Sequence, residues 1–250
     1  MKPGYATAAL LILLIVAFAY TGLGLYLIYL SNPSFDVSLE KAFFGSSGLK
    51  AVFLTTLSFT SDPGGLFTGA ININLVDTTT NVQIGICKTE EFSIEGLRLY
   101  ERVTVTVPYS KIYTGAFNGF LFNETNVMMN VTVTIYNIFV RVYAIQTAKS
   151  QWGPPFGNFT IYYRIHSLNR THNVIRINIA FNNWSIFNFK GRFKILVNNK
   201  YEGFKDLEVD SGEHGEAIIN VYMPKGERLQ AMMLYIIPAR GAEIGPYQVV

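Results

Sequence analysis

The sequence predicts a mainly β protein: an N-terminal apolar α-helix, sited in a membrane or in a filament core, followed by two β-sandwich domains. Three observations carry that reading. Residues 4–30 contain no charged side chain, a run long enough as a helix to cross a bilayer. From about residue 33 onward, apolar and polar residues alternate with a period of two, as half-buried antiparallel strands require. The order of strand and turn features in the first half then recurs in the second.

The helix comes first in the chain. Residues 4–30 would span ~40 Å at 1.5 Å per residue, more than the ~30 Å hydrocarbon layer. Tyr5 marks one end, and Tyr26 and Tyr29 the other, as an interfacial aromatic belt would. Asn32-Pro33 stops the helix, because proline lacks a donor and turns the residue before it away from helix. One reading is an uncleaved signal-anchor over residues 1–31. A second is a cleaved signal peptide, with Lys2 at its basic end and Ala17-Phe18-Ala19 as the cleavage site, although the apolar run continues for eleven residues beyond. A third is a pilin-type helix buried in a filament, which needs processing near Gly4. Lys2 before the helix and Lys41 after it leave the positive-inside rule nearly balanced. Ala17, Tyr20, Thr21, Gly22 and Gly24 form a candidate packing set for a second helix: the Tyr20 hydroxyl falls near mid-span, and small residues permit close approach. In the plainer reading a lone anchor tolerates these residues, and the threonine hydroxyls bond back to helix carbonyls.

The strands follow. Ile71, Ile73 and Leu75 alternate with asparagines; Val103, Val105 and Val107 and then Val131, Val133 and Ile135 alternate with threonines; Ile175, Ile177 and Ile179 continue the pattern. Turn clusters at 61–65, 77–81, 198–199 and 210–212 punctuate them. We divide the chain into a helix over 1–31, a first sandwich over 33–148, a Pro/Gly linker over 149–157 and a second sandwich over 158–250. Pro154-Pro155 makes that linker stiff. Residues 57–61 align with 179–183, Leu66-Phe67 with Ile186-Phe187, 70–75 with 192–197, and 101–108 with 216–224 across one gap, so the two halves read as a duplication.

In the second half, Phe181-Asn182-Asn183 is followed by 193–199 and by a strand running into Met223-Pro224. This stretch of about 45 residues resembles the water-stress-and-hypersensitive-response domain of the late-embryogenesis-abundant group, with a weaker match over 57–108. The resemblance implies a seven-stranded immunoglobulin-like sandwich, here in tandem. Members often carry an N-terminal membrane helix, and the family brings no catalytic residues.

Little in the chain points to chemistry. A net charge of +3, scattered, is too small for a nucleic-acid footprint, and an apolar share of 50% excludes a disordered chain. Cys87 is the single cysteine, so neither an internal disulfide nor a thiolate zinc cage forms. His166, His172 and His214 have no metal-binding spacing. Asp206, Glu208 and Asp210 alternate on one strand face, with Glu213 and Glu216 nearby. Their spacing departs from a calcium loop and suits a solvated sheet edge that discourages strand addition. No nucleophile elbow or phosphate loop occurs. Asn123, Asn130, Asn158, Asn169 and Asn183 each open an Asn-x-Ser/Thr sequon, which fits an exterior glycoprotein. Trp152, Phe156 and Trp184 are candidates for an interdomain or intersubunit contact, or for filling between the sandwiches.

The expectation is therefore a single-pass, cell-surface or envelope protein with no enzymatic activity. Its bulk lies outside the cytoplasm and its role is structural or in assembly. Its partners are the lipid bilayer and other proteins, or its own copies, met through the helix and sheet edges; no nucleic acid, small-molecule substrate, cofactor or metal is expected. The alternatives are a subunit of a pilus-like extracellular filament and an accessory subunit of a membrane complex.

Overall fold

The computed structural model describes residues 3–138 and 140–250, with side chains from residue 11 onward. Helix α1 covers Pro3–Ser31. It ends as its last residues dictate: Asn32 takes a left-handed φ of 39° and its N–H returns to the Ile28 carbonyl at 3.1 Å, while the Ser31 hydroxyl donates to the same carbonyl at 2.9 Å.

The rest is strand. The first sandwich contains β1 (Ser34–Phe44), β2 (Gly48–Ser58), β3 (Phe67–Asp77), β4 (Val82–Lys88), β5 (Phe92–Ile94), β6 (Arg98–Pro108), β7 (Thr125–Tyr136) and β8 (Arg141–Trp152). Between β6 and β7 lie a single helical turn, α2 (Tyr109–Ile112), and a 3₁₀ turn at Gly119–Leu121. The second sandwich contains β9 (Gly157–Ser167), β10 (His172–Asn182), β11 (Phe189–Val197), β12 (Tyr201–Val209), β13 (His214–Pro224), β14 (Met232–Pro238) and β15 (Ile244–Gln248).

The two sandwiches have the same topology. In the first, β1-β2-β6 form one sheet and β4-β3-β7-β8 the other, with short β5 added to β3. In the second, β9-β10-β13 and β12-β11-β14-β15 repeat that path strand for strand, and every pairing in both is antiparallel. The fourth strand of each unit pairs with the third, which makes a three-plus-four immunoglobulin-like sandwich. Two of the aligned segment pairs fall squarely on equivalent strands: 70–75 and 192–197 on β3 and β11, 101–108 and 216–224 on β6 and β13. Burial repeats as well. Phe67 and Phe187 are buried, while their neighbours Leu66 and Ile186 are exposed. Gly85 in β4 and Gly203 in β12 sit where the fourth strand crosses the opposite sheet; a Cβ on Gly203 would stand 2.6 Å from the Asn220 carbonyl oxygen.

The expected linker over 149–157 requires a correction. Strand β8 runs through Trp152, and Pro154, Pro155, Phe156 and Gly157 are all buried. One core joins the interior of the first sandwich to Ile28 of α1. The other continues from Phe44, Leu49, Tyr109, Ile112, Phe120, Leu121 and Phe122 of the first unit into the whole interior of the second. The proline pair read as a linker because its composition matches one; here it turns the chain inside a packed junction.

Candidate membrane anchor and interdomain junction

Helix α1 is the one element among the described residues long and apolar enough to cross a membrane. From Leu11 to Phe18 nearly all its side chains are exposed. Its last turns are seated on the first sandwich. Ile28 is buried in that core with Leu57, Phe59 and Val140, and Gly24 lies so close that its Cβ position is 3.2 Å from Val140 Cγ2 and 3.4 Å from Asn137 Nδ2. The Thr60 N–H and hydroxyl donate to the carbonyls of Ser31 and Leu30 at 2.7 and 2.9 Å, tying the helix end to the loop after β2. Tyr20 lines a cleft of about 450 Å³ with Leu66, Thr68, Tyr136, Asn137, Ile138 and Arg141.

This seat revises the helix-packing set. Tyr20 and Gly24 face the chain's own sandwich, not a second helix, and Tyr20 stands beside the body of the protein, away from mid-span. Thr21 donates to the Ala17 carbonyl at 2.8 Å, and no atom comes within 4 Å of a Cβ placed on Gly22. Residues 17, 20, 21, 24 and 28 share one helix face by their spacing. The sequence shows that stripe but not which surface answers it.

The junction is built from aromatic rings. The Trp152 indole N–H donates to the Phe120 carbonyl at 2.7 Å, its ring stacks on Phe120 with centroids 4.1 Å apart, and it leans on Phe187 of the second unit at 5.5 Å. The Phe156 N–H donates to the Leu121 carbonyl. The Phe156 ring meets Phe44 and Phe122 on one side and Phe181, Phe189 and Phe193 on the other, with centroids 5.0–6.3 Å apart. Trp184 covers the crossing: its N–H donates to the Pro154 carbonyl, and its ring lies against Gly157. The Tyr113 hydroxyl donates to the Pro246 carbonyl at 2.6 Å, and Ala242 N–H donates to Ser46 at 3.0 Å. Tyr109, whose hydroxyl donates to the Gly45 carbonyl, has its pKa driven upward by burial. Phe117, Phe120 and Phe122 were not singled out from sequence; three phenylalanines in a turn-rich insertion with no strand period were the available signal.

The sequons separate. Asn123, Asn158 and Asn169 are exposed and Asn130 is half-buried. Asn183 is 0% exposed: its amide donates to the carbonyls of Phe187 and Val209, and its oxygen accepts from the Ser185 N–H and hydroxyl. As an acceptor of glycan it is corrected to an internal structural asparagine, because the Asn-x-Ser spacing also closes a side-chain turn. Two acids of β12 are paired with bases on β11: Asp206 with Arg192 at 2.7 Å, Glu208 with Lys190 at 2.6 Å. The Arg192 hydrogen bond holds Asp206 below its ordinary pKa. No group of three metal-ligating side chains occurs among the described residues. Burial raises the Cys87 thiol pKa.

The class defined so far is an N-terminal apolar helix seated on a tandem of immunoglobulin-like sandwiches. No family model matches the chain, and no curated protein does. Among solved structures it is similar to the YadV chaperone, with a TM-score of 0.30 and 11% identity over 86% of this chain and 99% of that one. It is also similar to red sea bream transglutaminase, with a TM-score of 0.32 and 9% identity over 85% of this chain and 31% of that one. A third is a chaperone–tip adhesin complex of CFA/I fimbriae biogenesis, with a TM-score of 0.22 and 8% identity over 81% of this chain and 91% of that one.

Proposed function

We propose that the chain is a non-enzymatic, membrane-anchored protein of the cell surface or envelope with a structural or assembly role. Helix α1 is its anchor and the two sandwiches are an extracytoplasmic stalk. One observation carries the reading: apolar packing is continuous from Ile28 of α1 through the first sandwich, and a second continuous core joins the first sandwich to the second. A helix mounted so firmly transmits force to the far end of the chain, which a floppy tether would not. The accessible sequons Asn123, Asn158 and Asn169 support an exterior location.

The test is fractionation with intact-mass analysis of the native protein. Retention in the membrane after alkaline carbonate, cleavage of the sandwiches by protease added to intact cells, and a mass above 28.0 kDa from added glycan support the proposal, while a bare 28.0 kDa weakens the exterior assignment. Release by carbonate overturns it. The exposed apolar face of residues 11–18 equally suits a helix bundled in a filament core; loss of a few N-terminal residues together with surface fibres would favour that second reading.

A further inference from the structure

We infer that the outer face of the β9-β10-β13 sheet is a binding site for a carboxylate-bearing oligosaccharide, centred on Arg164 and Arg176. This names a partner for the proposed surface role and in that respect rests on it.

The sequence sets up the charge. Between Glu124 and Glu202 it contains no aspartate or glutamate, and β9 and β10 lie wholly inside that stretch. Ile175, Ile177 and Ile179 of β10 fill the second core, so the residues alternating with them face solvent. Register then sets the outward residues in rows across the three strands. Tyr162 stands opposite Asn178, and Asn178 opposite Ile218. Arg164 stands opposite Arg176, and Arg176 opposite Asn220. His166 stands opposite Val174, and Val174 opposite Tyr222. With about 5 Å between strands and about 7 Å between rows, the three rows cover roughly 10 by 14 Å, the footprint of a short oligosaccharide.

An arginine directly facing an arginine is the feature that asks for a partner, because like charges in opposed positions destabilise a sheet. The other sheet of the same unit does the reverse: Lys190 faces Glu208 and Arg192 faces Asp206, each in an ion pair. Among the described residues Arg164 and Arg176 are in no ion pair. The acid of this face, Glu216, lies in the row beyond Tyr162, opposite Ala180, and is met by His214 Nε2 at 3.2 Å. Two planar guanidiniums side by side match carboxylate oxygens in bidentate fashion. The surrounding side chains select among anions. Tyr162 and Tyr222 are 68% and 55% exposed and stand diagonally across the arginine pair, where their rings suit the C–H faces of sugars. The amides of Asn178 and Asn220 offer donors and acceptors to hydroxyl groups. A recess of about 730 Å³ over Tyr162, Arg164, His166, Arg176 and Asn178 is open along β9, the outermost strand, so an extended chain can lie in it. The N–H groups of a sheet lie in its plane, so this face has no nest of amides to wrap a small phosphate. An acidic protein would need a larger apolar centre than Ile218 and Val174 supply.

The test is biolayer interferometry on the full chain in detergent micelles at low salt. Oligogalacturonate is the probe, and neutral maltooligosaccharide, polyglutamate and inorganic phosphate are the comparators. The expected result is binding of oligogalacturonate and none of maltooligosaccharide. Arg164→Gln and Arg176→Gln should each weaken binding at least ten-fold, Tyr162→Ala and Tyr222→Ala several-fold, and Arg102→Gln on the first unit not at all. Both arginine variants of this face should melt at or above the temperature of the unsubstituted chain, since repulsion is relieved, so lost binding is not lost fold. No binding of oligogalacturonate, or binding that survives both arginine substitutions, overturns the inference. If polyglutamate or phosphate competes as well as the saccharide and the tyrosine variants bind normally, the face is an unselective anion surface and the saccharide assignment falls. Protease added to intact cells tests the exterior reading separately. A chain cleaved there yet blind to oligogalacturonate keeps the surface reading and loses this inference; a protected chain that binds in micelles keeps the site and loses its surface role.

Discussion

Replacing Phe156 with alanine separates a packed junction from a flexible connection. The ring is 0% exposed and touches five phenylalanines drawn from both sandwiches. Phe→Ala in a core costs about 3–5 kcal/mol. With no exposed ring edge and neighbours held on β10 and β11, little collapse can refill the space, so about 4 kcal/mol is expected. In a chain of this size that lowers Tm by roughly 8–16 °C. A substitution in a solvated linker would change stability by no more than about 0.5 kcal/mol. The assay is urea unfolding of the detergent-solubilised chain, followed by tryptophan fluorescence and far-UV circular dichroism. Both tryptophans, Trp152 and Trp184, sit at the junction, so fluorescence reports its opening while dichroism reports the strands. In Phe156→Ala the fluorescence transition should precede the dichroism transition. A loss under 1 kcal/mol with coincident transitions would refute the continuous core.

Other consequences are as direct. A Cβ at Gly153 collides with the Trp184 carbonyl, so Gly153→Ala should destabilise by about 1–3 kcal/mol, whereas Gly226→Ala, with nothing within 4 Å, should be near neutral; thermal melts compare the two. Asn183→Ala removes the amide donor to the Phe187 and Val209 carbonyls and the acceptor of the Ser185 N–H and should cost about 1–3 kcal/mol, and glycopeptide mapping after expression in a glycosylating host should find Asn183 bare. Asp206→Asn removes an exposed, solvent-screened pair and should leave the melting temperature close to that of the unsubstituted chain, read from the same melts. On acidification, Glu40 is held low by Arg102 and Asp206 by Arg192; for Asp77, burial pushes upward but hydrogen bonds from Thr80, Thr79 and Thr125 outweigh it. Folded values below the ordinary ~4 mean that this contribution is complete above about pH 5 and is lost as pH falls through 4 and lower. A urea midpoint that rises on acidification from pH 5 to 3 would contradict that sign.

What sequence reasoning reached, it reached through periodicity. Alternation at Ile71–Leu75, Val103–Val107 and Ile175–Ile179 names strands because side-chain direction flips at every residue, and it carries to burial directly. The duplication was legible because both units bury the same positions. The junction was not, because its residues follow no period. Pro154 and Pro155 have the composition of solvated linkers, and only tertiary packing distinguishes a buried turn from an exposed one. Asn183 was misleading for a chemical reason: a short amide and a hydroxyl two residues later serve an oligosaccharyl acceptor and an internal turn alike. The stripe at Tyr20 and Gly24 was visible as a surface in want of a neighbour, but helical spacing does not identify the neighbour.

The repeated topology has one further consequence, at the tip distal to α1. The first unit receives its neighbour on Phe44, Tyr109 and Phe120. The matching turns of the second unit present Asn169 and Arg170, Asn199 and Lys200, and Lys225, Glu227 and Arg228. Among the described residues these turns are mostly polar, with Leu168 the exposed apolar side chain beside them, in contrast to the aromatic seat of the first unit. The two poles of the tandem are therefore chemically unlike, while β1, β8 and β9 leave open strand margins along its flanks.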